Sequence, residues 1–339
     1  MISSAIKSRQ PSRDAWSIEQ LTRQRSIVLE LAIDKSTHLN YSSALNSYIT
    51  FCRLHDFPIE PTPDTLSFYT VYMSHHIKPS SVDSYLSGIS QQLEIYFPEV
   101  RNARKSILVH RTLNGCKRLL GSATARKSAL THDHLRQVLD HFGNSTDHDD
   151  NLFVALIFTG FHALMRLGEL CWPDNPALQN FEKVSKRRTV KWLEHRYQFT
   201  LPGHKGDKFF EGNEIIIQKS NNSTDAYGPF LKYLRSRDTL FPYNPELWLR
   251  SNGSIPTRSF FITRIHSLFD SSISGHSMRA GGATSLAEAG VSPNIIQAIG
   301  RWKSDAWQIY VRKNPVLIQA MIFGGRAIHE SLPQAETIP

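Results

Sequence analysis

Residues 151–165 of the chain, NLFVALIFTGFHALM, contain no Asp, Glu, Lys or Arg, and the next residue is Arg166. A stretch this apolar has to be covered on every side, so it predicts a buried helix running over 151–170. Crossing a bilayer takes about 18–20 uncharged residues, and no run of that length occurs. Hydrophobic residues make up 40% of the 339 and charged residues 20%, enough apolar material for two ordinary domains with a core each. The arginine is the tighter constraint, because a guanidinium ending such a segment has to be paired. Glu169, three residues on, is a local partner. The planar fork suits phosphate oxygens equally well, and both readings stand.

Around this segment the pattern is mostly helical. A polar tail (1–15) precedes a region, 16–122, in which apolar residues recur at helical spacing between short breaks. Ser17–Ile33 forms one helix, Ser36 or Thr37 caps a second, Thr62-Pro63 and Pro79 start two more, and Ala103–Leu120 forms a fifth. The segment GSATARKSAL (121–130) is small, polar and basic and reads as a linker. Thr131 then caps a helix over His132–Phe142. Tyr197–Leu201 and Glu214–Gln218 alternate like two strands around PGHKGDKFFEGN. From 258 onward the pattern is helical again, with Gly290 and Gly300 as stops and Ser292-Pro293 as a start. The expected fold is mainly α: an N-terminal helical bundle over 16–122, then a mostly helical domain over 123–339 with a small antiparallel β-sheet.

Several function classes drop out. Cys52, Cys116 and Cys171 are odd in number and far apart, which predicts no disulfide framework and no zinc site. The start, MISSAIKSRQ, lacks the apolar core of a signal peptide, so the chain is expected not to be secreted. His75/His76, His132/His134 and DHDD (147–150) lack metal-ligand spacing, and no metal is expected. Without a GxxxxGK[ST] loop, nucleotide hydrolysis is not expected either. A formal net charge of +9 is compatible with a polyanionic partner.

GHSMRAGG (275–282) admits two readings. As a nucleophile elbow, Ser277 needs a small residue two positions on, and Arg279 stands there instead. Read at another spacing it is His276-x-x-Arg279, two cationic donors on one helical face. Lys205 and Lys208 fall in the turn between the two strands. They are either solvated edge charges or within reach of a leaving oxygen that needs a proton. In AIGRWKSDAWQIYVRKNP (298–315), Asp305 and Gln308 make a capping box that puts Tyr310 in the second turn. Tyr310 is flanked by Arg301, Lys303, Arg312 and Lys313. It is either a core tyrosine or a phenol made easier to ionise by the cations around it.

In order along the chain, TGFHALMRLGEL, LPGHKGDKFFEG, GHSMRAGGATSLAEAG and IGRWKSDAWQIY together resemble the tyrosine recombinases, the integrase and Cre-like group. The resemblance covers roughly 125–323, and the helical region before it matches the family's core-binding domain in position and character. It implies that Arg166 and Arg279 grip the scissile phosphate, with Glu169 seating the first of them. His276 would assist proton transfer, and Trp302 would donate its indole N–H. Lys205, or in the alternative Lys208, would protonate the leaving 5′ oxygen. Tyr310 would be the nucleophile of a 3′-phosphotyrosyl intermediate, so neither ATP nor another cofactor is implied.

The implied partner is double-stranded DNA, held mostly through phosphates by both domains, with Arg126, Lys127, Arg301 and Lys303 as candidate contacts. The implied assembly is a homo-tetramer on two DNA sites, a dimer on each; no membrane and no small-molecule substrate are implied. The spelling GHSMRAGG…IGRW is most similar to enzymes of eukaryotic mobile elements, Crypton- or DIRS-like, which places the expected work in the nucleus, or otherwise in the cytoplasm and nucleoid. The Trp302-to-Tyr310 interval is one position shorter than in many bacterial members. Two alternatives share much of the pattern. One is an inert DNA-binding module, because TSLAEAGVSPNIIQAIGRW also reads as a helix-turn-helix. The other is a type IB topoisomerase-like relaxing enzyme. The apolar segment VLIQAMIF (316–323) packs either on its own domain or on a neighbouring copy.

Overall fold

Capping residues and prolines set most helix starts in the first half of the chain. The computed structural model describes residues 13–122, 127–203 and 211–302. The chain divides into two compact units, Met1–Thr124 and Ala125–Pro339.

The first unit holds α1 (Ile18–Leu31), α2 (Lys35–Leu54), α3 (Pro63–Ser74), α4 (Pro79–Leu93), α5 (Val100–Lys105) and α6 (Ile107–Leu119). Ser17 and Thr62 close capping boxes at α1 and α3, while Pro63 and Pro79 open their helices where a missing N–H costs nothing. Two sequence expectations are corrected. Asp34, not Ser36 or Thr37, caps α2, its carboxylate accepting the Ser36 N–H at 2.9 Å, where a negative charge also favours the helix dipole. The helix expected over Ala103–Leu120 is broken at Ser106, whose extended backbone ends α5 and whose hydroxyl accepts the Val109 N–H to start α6. Helix α2 packs on α4 and α3 on α6, burying Tyr48, Phe51, Leu66, Tyr69, Leu86 and Ile89. Ile18, Leu21 and Val28 of α1 stay exposed.

The second unit is built around the charge-free segment. It comprises α7 (His132–Phe142), α8 (His148–His162), α9 (Leu167–Leu170), β1 (Lys191–Leu193), β2 (Arg196–Leu201), β3 (Asn213–Gln218), α10 (Tyr227–Leu240), α11 (Arg258–Leu268), α12 (Gly275–Glu288) and α13 (Pro293–Ile299). Leu152 to Phe158 of α8 are buried without interruption, because α7, α10 and α12 all pack against that helix. The three strands form an antiparallel sheet in the order β1-β2-β3. Tyr197 and Phe199 of β2 stand opposite Ile217 and Ile215 of β3. The Tyr197 ring stacks on Phe230 of α10, centroids 4.0 Å apart, which fixes the sheet to the helical layer. β1 and α10 were not anticipated.

The helix expected over 151–170 is likewise corrected. Helix α8 ends at His162, and Leu164 takes the left-handed conformation at φ 50°. The Leu164 N–H donates to Phe161 O at 3.3 Å and the Met165 N–H to Gly160 O at 2.9 Å. These are the two return bonds of a Schellman turn. A short α9 then restarts at Leu167.

Helix α12 lies so close to its neighbours that two of its positions exclude a side chain. A Cβ at Gly281 would stand 2.0 Å from the Leu130 carbonyl oxygen, and one at Gly282 would stand 2.1 Å from that of Phe161. The space beside both glycines is taken by this chain's own backbone. Elsewhere in a helix, Gly→Ala gains about 1 kcal/mol. Here the sign reverses, and Gly282→Ala is expected to destabilise the unit by about 1–3 kcal/mol in urea unfolding.

His132 ties α7 to its surroundings, pairing with Thr224 Oγ1 at 2.6 Å and Ser285 Oγ at 2.7 Å, while His162 Nε2 donates to the Thr224 carbonyl at 2.9 Å. Desolvation by burial holds both imidazoles below their ordinary pKa, with Arg136 adding to the effect at His132 and His132 adding to it at His162. A depressed imidazole pKa means that the unfolded chain takes up protons first. Stability is therefore lost as pH falls below about 6.5. Thermal melts should drop between about pH 7.5 and 5, and His162→Asn should shrink that drop; a drop of unchanged size would remove His162 from the account.

Candidate active site

The break between α8 and α9 is where Arg166, Glu169, Arg279 and Arg301 meet. Because α8 stops short, Arg166 does not lie within an apolar helix, as expected, but immediately before the first turn of α9. From there its Nη1 donates to Glu169 Oε1 at 2.8 Å, and its backbone N–H donates to Glu169 Oε2 at 2.9 Å. The carboxylate thus holds both the side chain and the main chain of Arg166. The two open readings of Arg166 meet here: it is paired with Glu169, yet its side chain remains 30% exposed, and its Nη2 and Nε are not used by Glu169.

Arg279 reaches the same place from α12. It is buried, with Nη1 donating to the Leu164 carbonyl at 2.6 Å and Nη2 to the Gly300 carbonyl. Its guanidinium carbon sits 4.1 Å from the centroid of the Trp302 ring, a cation–π stack. Gly300 makes that stack possible, since a Cβ there would stand 1.7 Å from the ring. Ser277 is removed from consideration as a nucleophile. It is buried, and its hydroxyl accepts the Ser274 N–H at 2.9 Å, part of the cap of α12.

His276, one turn before Arg279, is exposed. Partial desolvation lowers its pKa, and the guanidiniums of Arg258, Arg166 and Arg279 lower it further. The neutral ring is thereby favoured, and it can accept a proton inside a positive field. Arg258, the first residue of α11, escaped the sequence reading. Its one available signal was a cation in the first turn of a helix, where the dipole opposes it unless an anion comes there.

Arg301 corrects an expectation. Placed by sequence among the DNA contacts, it is instead turned inward, its side chain 9% exposed and its Nη2 donating to Glu169 Oε2 at 3.1 Å. Glu169 therefore serves two arginines. Burial alone would raise its pKa, but Arg301 and then Arg166 hold it below the ordinary carboxylate range. Lys127 is exposed and its ammonium donates to the Ser271 carbonyl. Lys205, Lys208, Tyr310, Lys303 and Arg126 lie outside the described residues. Among the described residues no group of three or more His, Cys, Asp or Glu is arranged to hold a metal ion.

No protein-family model and no curated protein matches the chain. Solved structures do. One match is the Tn1549 transposon integrase in complex with transposon right end DNA, at TM-score 0.55 and 16% identity, over 87% of this chain and 92% of that one. Another is a lambda integrase dimer bound to a COC′ core site, at TM-score 0.52 and 14% identity, over 94% and 98%. A third is XerH site-specific recombinase in a post-cleavage complex with palindromic difH substrate, at TM-score 0.52 and 18% identity, over 77% and 72%. The chain has the tyrosine recombinase fold.

Within this recombinase fold, Arg166, Arg279, His276, Glu169 and Trp302 come together, although they are scattered over more than a hundred positions of sequence. Among the described residues the cluster holds three guanidiniums, those of Arg166, Arg279 and Arg301, against the one carboxylate of Glu169, and so carries excess positive charge. Removing the carboxylate leaves buried Arg301 unpaired. Glu169→Ala is expected to cost about 3–5 kcal/mol in denaturant unfolding; a cost below about 1 kcal/mol, typical of a surface pair, would show that the three groups are not coupled.

Proposed function

We propose that the chain is a site-specific DNA recombinase or transposase that cuts and rejoins strands through a 3′-phosphotyrosyl intermediate. The observation that carries this reading is the meeting of Arg166 and Arg279 at the α8–α9 break, beside an exposed His276 whose pKa is depressed. Phosphoryl transfer depends on positioning and charge stabilisation, and a cluster with excess positive charge supplies both. The likeness in fold to integrases and a recombinase solved with DNA supports the same substrate class.

In the proposed reaction the phosphate's non-bridging oxygens lie against Arg166 and Arg279. The Tyr310 phenol gives its proton to neutral His276 as its oxygen bonds to phosphorus. The bond from phosphorus to the 5′ oxygen breaks, and Lys205, or Lys208, protonates the leaving oxygen. The strand stays joined to the protein as a phosphotyrosine diester, so rejoining is the same displacement run backwards with a 5′ hydroxyl as nucleophile. Trp302, stacked on Arg279, restrains that guanidinium and presents its indole N–H to the phosphate. On this reading the working unit is a tetramer on two DNA sites.

The test is a nicked duplex carrying the DNA that flanks the gene, incubated with the full chain and run on a denaturing gel. A covalent protein–DNA adduct is expected from the wild type and is expected to vanish in Tyr310→Phe and Arg279→Ala. Retarded DNA with no adduct from any of the three would mean an inert binding module. Relaxation of any supercoiled plasmid, without a partner site, would mean a topoisomerase.

A further inference from the structure

Helices α12 and α13 end in the same turn, and the contrast between them isolates one residue. After α12 the Val291 N–H returns to the Leu286 carbonyl at 3.0 Å; after α13 the Trp302 N–H returns to that of Gln297 at 3.2 Å. Such a turn needs a left-handed residue just before the returning N–H, a place that glycine fills without strain. The first turn uses Gly290 at φ 78°, whereas the second uses Arg301 at φ 55°. Gly300, which the sequence offers as the stop, stays in the right-handed region.

Arg301 therefore carries backbone strain where the neighbouring turn carries none. It is also buried, and its Nε has no hydrogen-bond partner among the described residues. Strain and burial of this kind persist only where surrounding contacts over-determine the residue. Nη1 donates to the Ile299 carbonyl at 3.1 Å and that of Ala163 at 3.4 Å. Nη2 donates to Glu169 Oε2 at 3.1 Å and lies 3.5 Å from the Leu164 oxygen. Those last two acceptors matter most, because Glu169 also holds Arg166, and the Leu164 oxygen also accepts from Arg279.

We propose that Arg301 is a positioning residue that locks Arg166 and Arg279 into one rigid phosphate clamp through Glu169 and the Leu164 carbonyl. The inference rests on the proposed role of those two arginines as phosphate ligands. Chemically, Arg301 draws one Glu169 oxygen toward itself and so keeps the carboxylate from closing on both donors of the Arg166 fork. Arg166 is left with unspent N–H groups facing an incoming anion, and the cluster keeps its excess positive charge.

The test uses the full chain and inorganic phosphate as the probe, with affinity read by calorimetry and melting temperature read in parallel without phosphate. Wild type should bind phosphate saturably, and Arg166→Ala should abolish the binding. Arg301→Gly, which fits the left-handed turn, should weaken binding by about 10-fold or more, the usual effect of losing a group that orients a ligand-binding side chain. Its melting temperature should hold. Millimolar guanidinium should restore the affinity of Arg301→Gly, and in a Glu169→Gln background the same substitution should add only a small further loss, the part that passes through the Leu164 carbonyl. Arg301→Asn, which also tolerates a positive φ, serves as the second replacement should the glycine variant melt early.

Equal affinity in wild type and both replacements would overturn the role of Arg301 and leave the phosphate clamp standing. A full additional loss in the Glu169→Gln background would overturn it as well, since Arg301 would then act by another route. Absence of phosphate binding in the wild type, or binding untouched by Arg166→Ala, would overturn the clamp and this inference together.

Discussion

The carboxylate of Glu169 lies between the guanidiniums of Arg166 and Arg301, and the candidate site depends on that three-way contact. Burying an ion pair gains little on balance, because desolvation offsets most of the attraction. What it supplies is direction. With Oε1 committed to Arg166, and Oε2 shared by Arg301 and the Arg166 N–H, the carboxylate has little freedom to rotate. The α8–α9 break provides the geometry. Had α8 continued through 170, the Leu164 carbonyl would be spent on the helix ladder and unable to receive Arg279.

The charge-free run over 151–165, the paired strands around Tyr197 and Ile215, the caps at Thr62 and Thr131 and the helix start at Ser292-Pro293 were legible because each rests on local chemistry. So was the pairing of Arg166 with Glu169, three positions apart. Leu164 was not. Nothing in its type announces a left-handed conformation that β-carbon sterics disfavour, and only its place beneath Arg279 and Arg301 accounts for it. Arg301 was misread for a related reason. A cation beside tryptophan and lysine looks like surface, and its burial follows from a carboxylate 132 positions upstream. β1 escaped as a strand of only three residues, too short to display alternation. The family resemblance grouped Arg166, Glu169, His276, Arg279 and Trp302, which the structure brings together, while Lys205, Lys208 and Tyr310 lie outside the described residues; the wiring through main-chain carbonyls had no counterpart in the letters.

The site also divides its charges by accessibility. Arg279 is buried and bonded to carbonyls, and the Arg301 side chain is only 9% exposed, whereas Arg166 is part-exposed and Arg258 exposed, and both act on the His276 imidazole. An approaching anion meets the exposed guanidiniums first, and its charge would raise the imidazole pKa that those cations lower. The same histidine is thus a better proton acceptor once a phosphate has arrived, a coupling of substrate and proton that follows from Coulomb's law alone.

The Arg279 bond to the Leu164 carbonyl joins residues 115 positions apart. It cannot form until α8 has ended in its tight turn and α12 has settled against Leu130 and Phe161. Each glycine of α12 that permits this approach therefore also sets the moment at which the proposed site is assembled. A partly synthesised or partly unfolded chain would hold its arginines apart, so chemical competence arrives together with the finished core and leaves with it. On the proposed reading, in which the protein breaks the strands it binds, that simultaneity is a safeguard written into packing.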